Sequence, residues 1–286
     1  MNFLKRTLTG IVIVAVIVAG TLAGMFWSFL LFGLITVACT VEFIGIVNRG
    51  KGTSASAGMS AEIAFFCYTI CLTVSSGIRG QLGAYQFLPL ALAVISVITM
   101  LLRELHRKNG STILNLAVGM MPVAYIALPL SLIPTLGTWY GSLTGRDYNG
   151  LLPLMMFIFI WCNDVGAYCF GCTLGKHHPF PKISPKKSWE GSIGGAAVTI
   201  AAAVAIPLAM PQQFSVIGTW TWIAIAVFTV VFGTFGDLTE SMMKREIGIK
   251  DSGNILPGHG GFLDRFDSTL LAVPAVAALL LILHCF

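Results

Sequence analysis

Apolar runs long enough to cross a membrane recur along the whole chain, and no other feature restricts its fold as strongly. Each run approaches the roughly 20 helical residues that span a hydrocarbon core of about 30 Å. In approximate limits, the nine runs cover residues 9–26, 28–47, 62–78, 86–102, 112–134, 151–171, 192–210, 216–235 and 269–285. Only 10% of the 286 residues are charged, against roughly 25% in an ordinary soluble domain. The sequence therefore predicts an all-α polytopic membrane protein with about nine transmembrane helices.

The first run has a second interpretation. It follows Lys5 and Arg6 and ends in small residues, as a cleaved secretory signal peptide does. The eight further runs favour a retained first helix.

The lysines and arginines indicate how the helices are oriented, because cytoplasmic loops accumulate these residues. With the N-terminus inside, 15 of the 17 lie in inside segments, and only Arg79 and Arg146 lie outside. The C-terminal Phe286 is then predicted to lie outside. The net charge of +5 follows from the same bias, so no nucleic-acid partner is inferred from it.

The acidic residues divide the chain into two parts. Eight of the twelve lie between residues 164 and 267, whereas the first 160 residues hold four. We therefore interpret residues 1–150 as a scaffold of transmembrane helices and residues 151–286 as a catalytic transmembrane region. Glu42 is the exception within the scaffold, because a carboxylate inside a span is costly unless it is paired or hydrated. It either contacts the functional site or extends to the membrane interface.

Charges concentrate in residues 241–267, where the chain has eight charged side chains and a histidine. The eighth apolar run stops just before Asp237, which places this residue at the inner membrane boundary. If the helix continues, the spacing puts Asp237, Ser241 and Lys244 on one face. The same spacing allows Glu240 to pair with Lys244. That face would offer a carboxylate, a hydroxyl and an ammonium group.

Four glycines and a proline in residues 250–261 prevent a regular helix. Glycine lets backbone N–H groups approach a ligand closely, which suits phosphate oxygens. Asp264 and Asp267 follow at the start of the last span, and Asp237 would supply a carboxylate from the neighbouring helix. Hard divalent cations such as Mg²⁺ take one or two carboxylates together with substrate phosphates. The pattern favours a metal site for phosphoryl or nucleotidyl transfer over a solvated loop whose charges pair among themselves.

A second polar segment, residues 163–191, adds to this site. Asp164 falls within the sixth run, where an unpaired carboxylate would be costly, so it is a candidate functional residue. The loop that follows lies on the same inner side and would hold the phosphates of a nucleotide or a lipid, unless its lysines only anchor it inside. Its polar residues include Ser184, Lys186, Lys187, Ser188 and Glu190.

These segments resemble the phosphatidate cytidylyltransferases, also called CDP-diacylglycerol synthases. The stretch 241–267 matches the signature of that family across its 27 positions. Residues 184–191, with the sequence SPKKSWEG, resemble a second family segment, and residues 236–238 resemble the start of a third. Asp164 begins a fourth, in which Val165 stands where the family has Ser or Thr. Because valine has no hydroxyl group, that departure puts a hydroxyl role at position 165 in doubt. It does not affect the role that the resemblance implies for Asp164.

The resemblance, which covers residues 160–270, implies a multi-pass inner-membrane enzyme whose active site faces the cytoplasm. It implies a homodimer that converts CTP and phosphatidate into CDP-diacylglycerol and pyrophosphate. The metal aspartates of the family fall on Asp237 and Asp264, which would hold Mg²⁺ with a monovalent cation such as K⁺ beside it. Lys244, Arg245 and Asp267 complete the expected catalytic set. The residues expected to bind substrate are Asp164, Ser184, Lys186, Lys187, Glu190, Ser241, Lys250, Asp251, His259, Gly260, Gly261 and Arg265.

Other classes of protein remain open from the sequence. A cation-coupled transporter would use the carboxylates within the spans as an ion path, but it gives no reason for a glycine-rich basic loop between two spans. A lipid kinase or a CDP-alcohol phosphotransferase would share the phosphate chemistry. The aspartate pattern of the latter, DGxxAR followed by GxxxDxxxD, is absent from this sequence. The sequence does not decide which basic residues hold CTP and which hold the lipid phosphate.

Overall fold

The computed structural model describes residues 3–50, 52–75, 86–107, 111–253, 255–256, 258 and 260–285. Within these residues the secondary structure is helical, apart from one isolated bridge between Leu256 and Gly260. The helices are α1 (Phe3–Leu22), α2 (Met25–Val47), α3 (Ala57–Ser75), α4 (Leu88–Leu105), α5 (Thr112–Pro122), a π-helical turn (Val123–Ala127), α6 (Leu128–Leu143), α7 (Leu151–Leu174), α8 (Trp189–Ala209), α9 (Pro211–Phe214), α10 (Thr219–Glu246) and α11 (Leu263–Cys285).

The predicted all-α, polytopic fold is confirmed. Eight segments of the described chain are long and apolar enough to cross a membrane, and Thr7–Leu22 within α1 is a shorter apolar helix. The first predicted run extends to residue 26, but α1 ends at Leu22 and α2 begins at Met25. The break falls at Gly24, whose φ of 119° is one that residues with a side chain rarely adopt.

The fifth span is longer than the predicted run 112–134. α5, the π-helical turn and α6 follow one another without a break from Thr112 to Leu143, over 32 residues. Pro122 and Pro129 flank the π-helical turn. Because a proline lacks an N–H group and its ring clashes with the preceding turn, it disturbs the regular α-helical bonding. The helix nevertheless continues past Pro134, where the predicted run stops.

α10 extends well beyond its apolar part. The predicted run ends at residue 235, whereas the helix continues to Glu246. Asp237, Ser241 and Lys244 therefore lie on consecutive turns of one helix. Their predicted common face required that the helix continue past residue 235, and it does. The polar third of α10 projects from its apolar part into the candidate site.

Contacts between loops and helices define two ends of the helix bundle. At one end, which we call the polar end, the loop before α11 contacts the end of α2 through Ser252 and Glu42. At the opposite end, Tyr148 in the loop before α7 donates a hydrogen bond of 3.0 Å to the carbonyl of Thr21 at the end of α1. Among the described loops, lysines and arginines gather at the polar end, and Arg146 lies at the other.

Glycines bring the helices around the candidate site close together, as small residues do in membrane proteins. Between α7 and α8, a Cβ on Gly166 would lie 2.9 Å from the Cα of Gly195. Between α10 and α11, a Cβ on Gly236 would collide with the backbone carbonyl of Asp267. The close approach at Gly236 holds the neighbouring Asp237 beside the first turns of α11.

Candidate active site

A polar cavity of about 290 Å³ opens at the polar end, between α7, α8, α10 and the loop before α8. It brings together the two polar segments that the sequence singles out. Its wall includes Asp164, Ser184, Lys186, Lys187 and Asp237. Lysine and carboxylate side chains from distant parts of the chain therefore share one concave surface.

Lys187 and Asp237 form an ion pair on the wall of the polar cavity. The Nζ atom of Lys187 lies 2.7 Å from Oδ2 of Asp237, and the two side chains are 26% and 34% exposed. The same Nζ donates to the carbonyl of Thr234 at 3.4 Å. The hydroxyl of Ser241 donates to Oδ1 of Asp237 at 3.2 Å. Asp237 is thus oriented by a protein partner on each oxygen while it stays open to the cavity.

Two further carboxylates lie near Asp237. Asp164 lines the same wall, whereas Asp267 is not among the residues that line the cavity. Asp164 and Asp267 both lie close enough to Asp237 to repel it electrostatically. Lys187 and Arg265 attract Asp164. An added cation would reduce the repulsion among the three carboxylates, so this wall is electrostatically suited to bind one.

Lys244 lies in a separate cluster, which we call the buried triad (Glu240, Lys244 and Asp264). Its Nζ atom lies 2.5 Å from Oε2 of Glu240 and 2.7 Å from Oδ1 of Asp264. The three side chains are 1%, 10% and 6% exposed, respectively. The pairing of Glu240 with Lys244, predicted from their spacing, is confirmed. Because two carboxylates enclose this ammonium group, its charge is balanced within the protein.

Asp264 also organises the loop between α10 and α11, residues 247–262, which we call the signature loop. Its Oδ2 atom accepts the backbone N–H groups of Ser252 at 2.9 Å and Gly261 at 2.8 Å. A carboxylate in the first turn of a helix is also stabilised by the positive end of the helix dipole. The expected metal ligand thus has both oxygens engaged, one by Lys244 and one by the loop backbone.

Glu42 of α2 reaches the signature loop from the N-terminal part of the chain. It is 7% exposed. Its Oε2 atom accepts the hydroxyl of Ser252 at 3.2 Å and the backbone N–H of Leu263 at 3.0 Å. Of the two interpretations that the sequence allows for Glu42, these bonds favour contact with the candidate site.

Arg245 links the two loops of the polar end. Its Nε atom donates to the carbonyl of Ile183 at 3.4 Å, and its Nη1 atom donates to the carbonyl of Ile249 at 3.0 Å. Three other residues expected to bind substrate have exposed side chains at this end. They are Lys250, Asp251 and Arg265.

Glu190 holds the loop after α7. Its Oε2 atom accepts the backbone N–H groups of Lys176 and His177, each at 3.2 Å, and its Oε1 atom lies 2.5 Å from Nδ1 of His177. Gly260 lies in the turn of the signature loop with a φ of 79°. His259 lies outside the described residues.

A second cavity, of about 620 Å³, touches the buried triad from the side of α2 and α5. Its wall is mostly apolar and includes Phe43, Val118 and Met243. Glu240 and Lys244 contribute charged groups to it. Asp237 and Lys244, seven residues apart on α10, therefore line different cavities.

Further polar residues, which the sequence does not mark as site residues, also line the polar cavity. They include Asn163, Ser192, Thr234 and Ser268. Asn163 has the clearest signal, since it is an amide inside an apolar run directly before Asp164. A single hydroxyl in a span is a weak signal, because serine and threonine commonly bond to their own helix.

The donor set of the polar cavity fits a hard cation in its chemistry. Among the residues that the structure describes, no three His, Cys, Asp or Glu side chains are arranged to hold a metal between them. Mg²⁺ needs fewer protein ligands, because it takes one or two carboxylates and completes its shell with phosphate oxygens and water. Asp237 has the exposure and the oxygen atoms for such a role, and Asp164 and Asp267 are close enough to interact with it electrostatically.

Comparison with known proteins identifies the family. The chain matches the model of the cytidylyltransferase family over residues 4–283. It is 37% identical over 174 residues to the phosphatidate cytidylyltransferase of Staphylococcus haemolyticus. The identity is 38% over 175 residues for the protein of that name from Staphylococcus epidermidis and 38% over 176 residues for the one from Staphylococcus aureus. These matches cover 61% of this chain and 62% of each relative, so the chain spans about three fifths of the length of those relatives. Since the family model covers nearly every residue, the resemblance of the signature is confirmed, and this protein belongs to the cytidylyltransferase family.

Proposed function

We propose that this chain is a phosphatidate cytidylyltransferase, which transfers CMP from CTP to phosphatidate and releases pyrophosphate. In this reaction, a phosphate oxygen of phosphatidate attacks the α-phosphorus of CTP. A new phosphorus–oxygen bond forms, and the bond between the α-phosphorus and the β-phosphate oxygen breaks. Because the attacking phosphate is already ionised near neutral pH, the protein has to bring two anions together and stabilise the developing charge.

The polar cavity carries this proposal. Lys187 pairs with Asp237 and lines the cavity, and Lys186 and Ser184 line the same cavity. Cations and hydroxyl donors of this kind bind phosphate oxygens. We assign these three residues to the phosphates of CTP or of phosphatidate.

Mg²⁺ would be held by Asp237 together with substrate phosphates, and it would supply positive charge to the triphosphate and to the leaving pyrophosphate. Asp264 is the second ligand that the family resemblance implies, with K⁺ nearby. Asp264 bonds to Lys244 at 2.7 Å, as Asp237 bonds to Lys187 at 2.7 Å, so each of these carboxylates would exchange an ion pair for the metal. Asp267 accepts the backbone N–H of Ser268 at 2.6 Å, and no ion pair among the described residues would have to break there.

The location of the polar cavity suits a reaction between a lipid and a soluble nucleotide. It opens at the end of the bundle where α7 and α10 leave their apolar parts. The acyl chains of phosphatidate would stay in the bilayer while CTP arrives from the cytoplasm. We accordingly propose an inner-membrane enzyme with the polar end facing the cytoplasm, and a homodimer as the family resemblance implies.

The test is transfer by the purified protein in detergent, with CTP labelled either at the α-phosphate or at the γ-phosphate. With phosphatidate and Mg²⁺, the α-label is expected in the lipid phase and the γ-label in pyrophosphate. Omission of either substrate should abolish both signals. Transfer of the γ-label to lipid would instead identify a lipid kinase.

A protein that is folded, supplied with lipid and inactive in both assays would contradict the proposal. Ion uptake into vesicles without nucleotide turnover would then support the transporter. Chelation of divalent cations, followed by addition of Mg²⁺, tests the metal separately. Activity that persists after chelation would exclude a required divalent ion.

A further inference from the structure

We infer that Glu42 is a positioning residue, which reaches from the scaffold helices to fix the signature loop and thereby the carboxylate of Asp264. Glu42 lies on α2, and its hydrogen-bond partners Ser252 and Leu263 lie 210 and 221 residues further along the chain. The inference goes beyond the proposed function, since it assigns a role in the active site to the N-terminal part of the chain.

The bonds of Glu42 interlock with those of Asp264. Ser252 donates its hydroxyl to Glu42 at 3.2 Å and its backbone N–H to Asp264 at 2.9 Å. Leu263, the first residue of α11, donates its N–H to Glu42 at 3.0 Å. The first N–H groups of a helix have no partner within it, so Glu42 also fixes where α11 begins. One glutamate therefore sets both the loop and the helix turn that carries Asp264.

The packing around Glu42 explains two glycines of the signature loop. A Cβ on Gly253 would lie 2.7 Å from Oε1 of Glu42. A Cβ on Gly261 would collide with Oε2 of Glu42 and with the hydroxyl of Ser252. The sequence alone predicts that these glycines allow a close approach by phosphate. In the structure, the group that approaches them is the carboxylate of Glu42.

The cost of burying Glu42 also argues for a specific role. Its side chain is 7% exposed, and Oε1 has no hydrogen-bond partner among the described residues. A buried carboxylate with one unsatisfied oxygen destabilises a fold unless its other contacts compensate. Here the compensation comes from the two donors at Oε2, and both belong to the region around Asp264.

The experiment compares Glu42→Gln with Glu42→Ala. The carbonyl oxygen of glutamine can accept both bonds, whereas alanine removes the acceptor. We expect Glu42→Ala to lower kcat about tenfold or more, as the loss of hydrogen bonds to a charged group implies, with KM for CTP changed less than about threefold. Glu42→Gln should restore kcat to within about threefold of the wild type. A loss in Glu42→Gln as large as in Glu42→Ala would overturn the inference, because the charge rather than the positioning would then matter.

Glu104 supplies the matched control. It is also 7% exposed and accepts bonds from Arg107 at 2.7 Å and Asn115 at 3.0 Å, within the scaffold. Glu104→Ala removes a buried glutamate of the same kind without touching the signature loop, so kcat should stay close to that of the wild type. If kcat falls equally in Glu104→Ala and Glu42→Ala, the loss comes from general destabilisation of the protein, and the inference is overturned.

Backbone hydrogen exchange of residues 250–262 gives a readout that does not depend on catalysis. Exchange in this loop should rise in Glu42→Ala and not in Glu104→Ala. If Glu42→Ala does not fold, Ser252→Ala removes one of the two donors and should raise exchange in the same loop. Unchanged exchange in the variants that fold would overturn the inference. An inactive wild type would count against the proposed function alone, since the exchange comparison would still decide the role of Glu42.

Discussion

Two of the ion pairs formed by α10, Lys187 with Asp237 and Lys244 with Asp264, use the same chemistry in opposite surroundings. Lys187 and Asp237 are 26% and 34% exposed and line the polar cavity. Lys244 is 10% exposed, between Glu240 and Asp264, which are 1% and 6% exposed. Both pairs have distances near 2.7 Å, so distance does not distinguish them. Burial does, because a buried charge without its partner is far more costly than an exposed one.

This difference separates two tasks along one helix. The pair at Asp237 keeps a carboxylate oriented while it remains open to a ligand. The buried triad instead links α10 to α11 and, through Asp264, to the signature loop. Charged residues close together in sequence therefore belong to a binding surface in one case and to the framework behind it in the other.

Lys244→Met should have the largest effect, on stability. It leaves Glu240 and Asp264 buried without their shared cation, and removing one partner of a buried ion pair costs about 3–5 kcal/mol. Unfolding in mixed micelles at increasing SDS fraction would measure the change. Adding Glu240→Gln to Lys244→Met removes one of the two carboxylates that have lost their partner and should recover part of the loss. Wild-type stability in Lys244→Met would mean that Lys244 does not belong to the framework.

Asp237→Asn should have the largest effect on catalysis. The amide keeps the shape of the side chain but loses the charge that the proposed metal requires, and we expect kcat/KM to fall at least a hundredfold, or about 2.7 kcal/mol. Stability should change by less than about 1 kcal/mol, because this pair is partly exposed.

Asp147→Asn is the control for that variant. Asp147 is exposed at the opposite end of the bundle, so its replacement should leave both activity and stability unchanged. A variant of Asp237 that unfolds as readily as Lys244→Met, or that keeps wild-type activity, would contradict the separation of the two pairs.

The sequence predicts much of this arrangement, because its signals are local. Apolar runs give the spans through their length, and spacing alone pairs Glu240 with Lys244. The predicted ends of the helices are wrong where packing against other parts of the chain extends a helix beyond its apolar run. α10 continues for eleven residues past the predicted end at 235, to Glu246, since its polar turns lie against α11 and the signature loop.

Long-range contacts are the part that the sequence does not predict. The bond between Glu42 and Ser252 joins residues 210 positions apart, and no periodic pattern encodes such a pairing. The sequence marks Glu42 only as a carboxylate in an apolar run. It likewise marks Asp264 as a metal ligand by family resemblance, whereas its bonds to Lys244 and to the loop backbone depend on how α10 and α11 meet.

Lys187→Met tests which substrate the exposed pair of Lys187 and Asp237 faces. The variant removes a cation from the wall of the polar cavity, and we expect KM for one of the two substrates to rise about tenfold, within the range for a hydrogen bond to a charged group. A rise for CTP alone assigns Lys187 to the triphosphate, and a rise for phosphatidate alone assigns it to the lipid. Lys182→Met is the control, because Lys182 is an exposed cation of the same loop that does not line the polar cavity. Equal effects of the two variants would mean that only the overall charge of the loop matters.

Glu190→Gln should have the smallest effect of these substitutions, and it measures how much an ion pair near the surface contributes. The side chain of its partner His177 is 77% exposed and that of Glu190 is 24% exposed, and an ion pair that water reaches in this way contributes little to stability. The backbone N–H groups of Lys176 and His177 can still bond to the glutamine carbonyl, so kcat/KM should change by about twofold or less. Titration calorimetry with a non-hydrolysable CTP analogue, beside steady-state kinetics, would measure the effect. A tenfold loss of nucleotide affinity would instead make Glu190 a direct substrate contact. The loop after α7 would then belong to the substrate-binding surface.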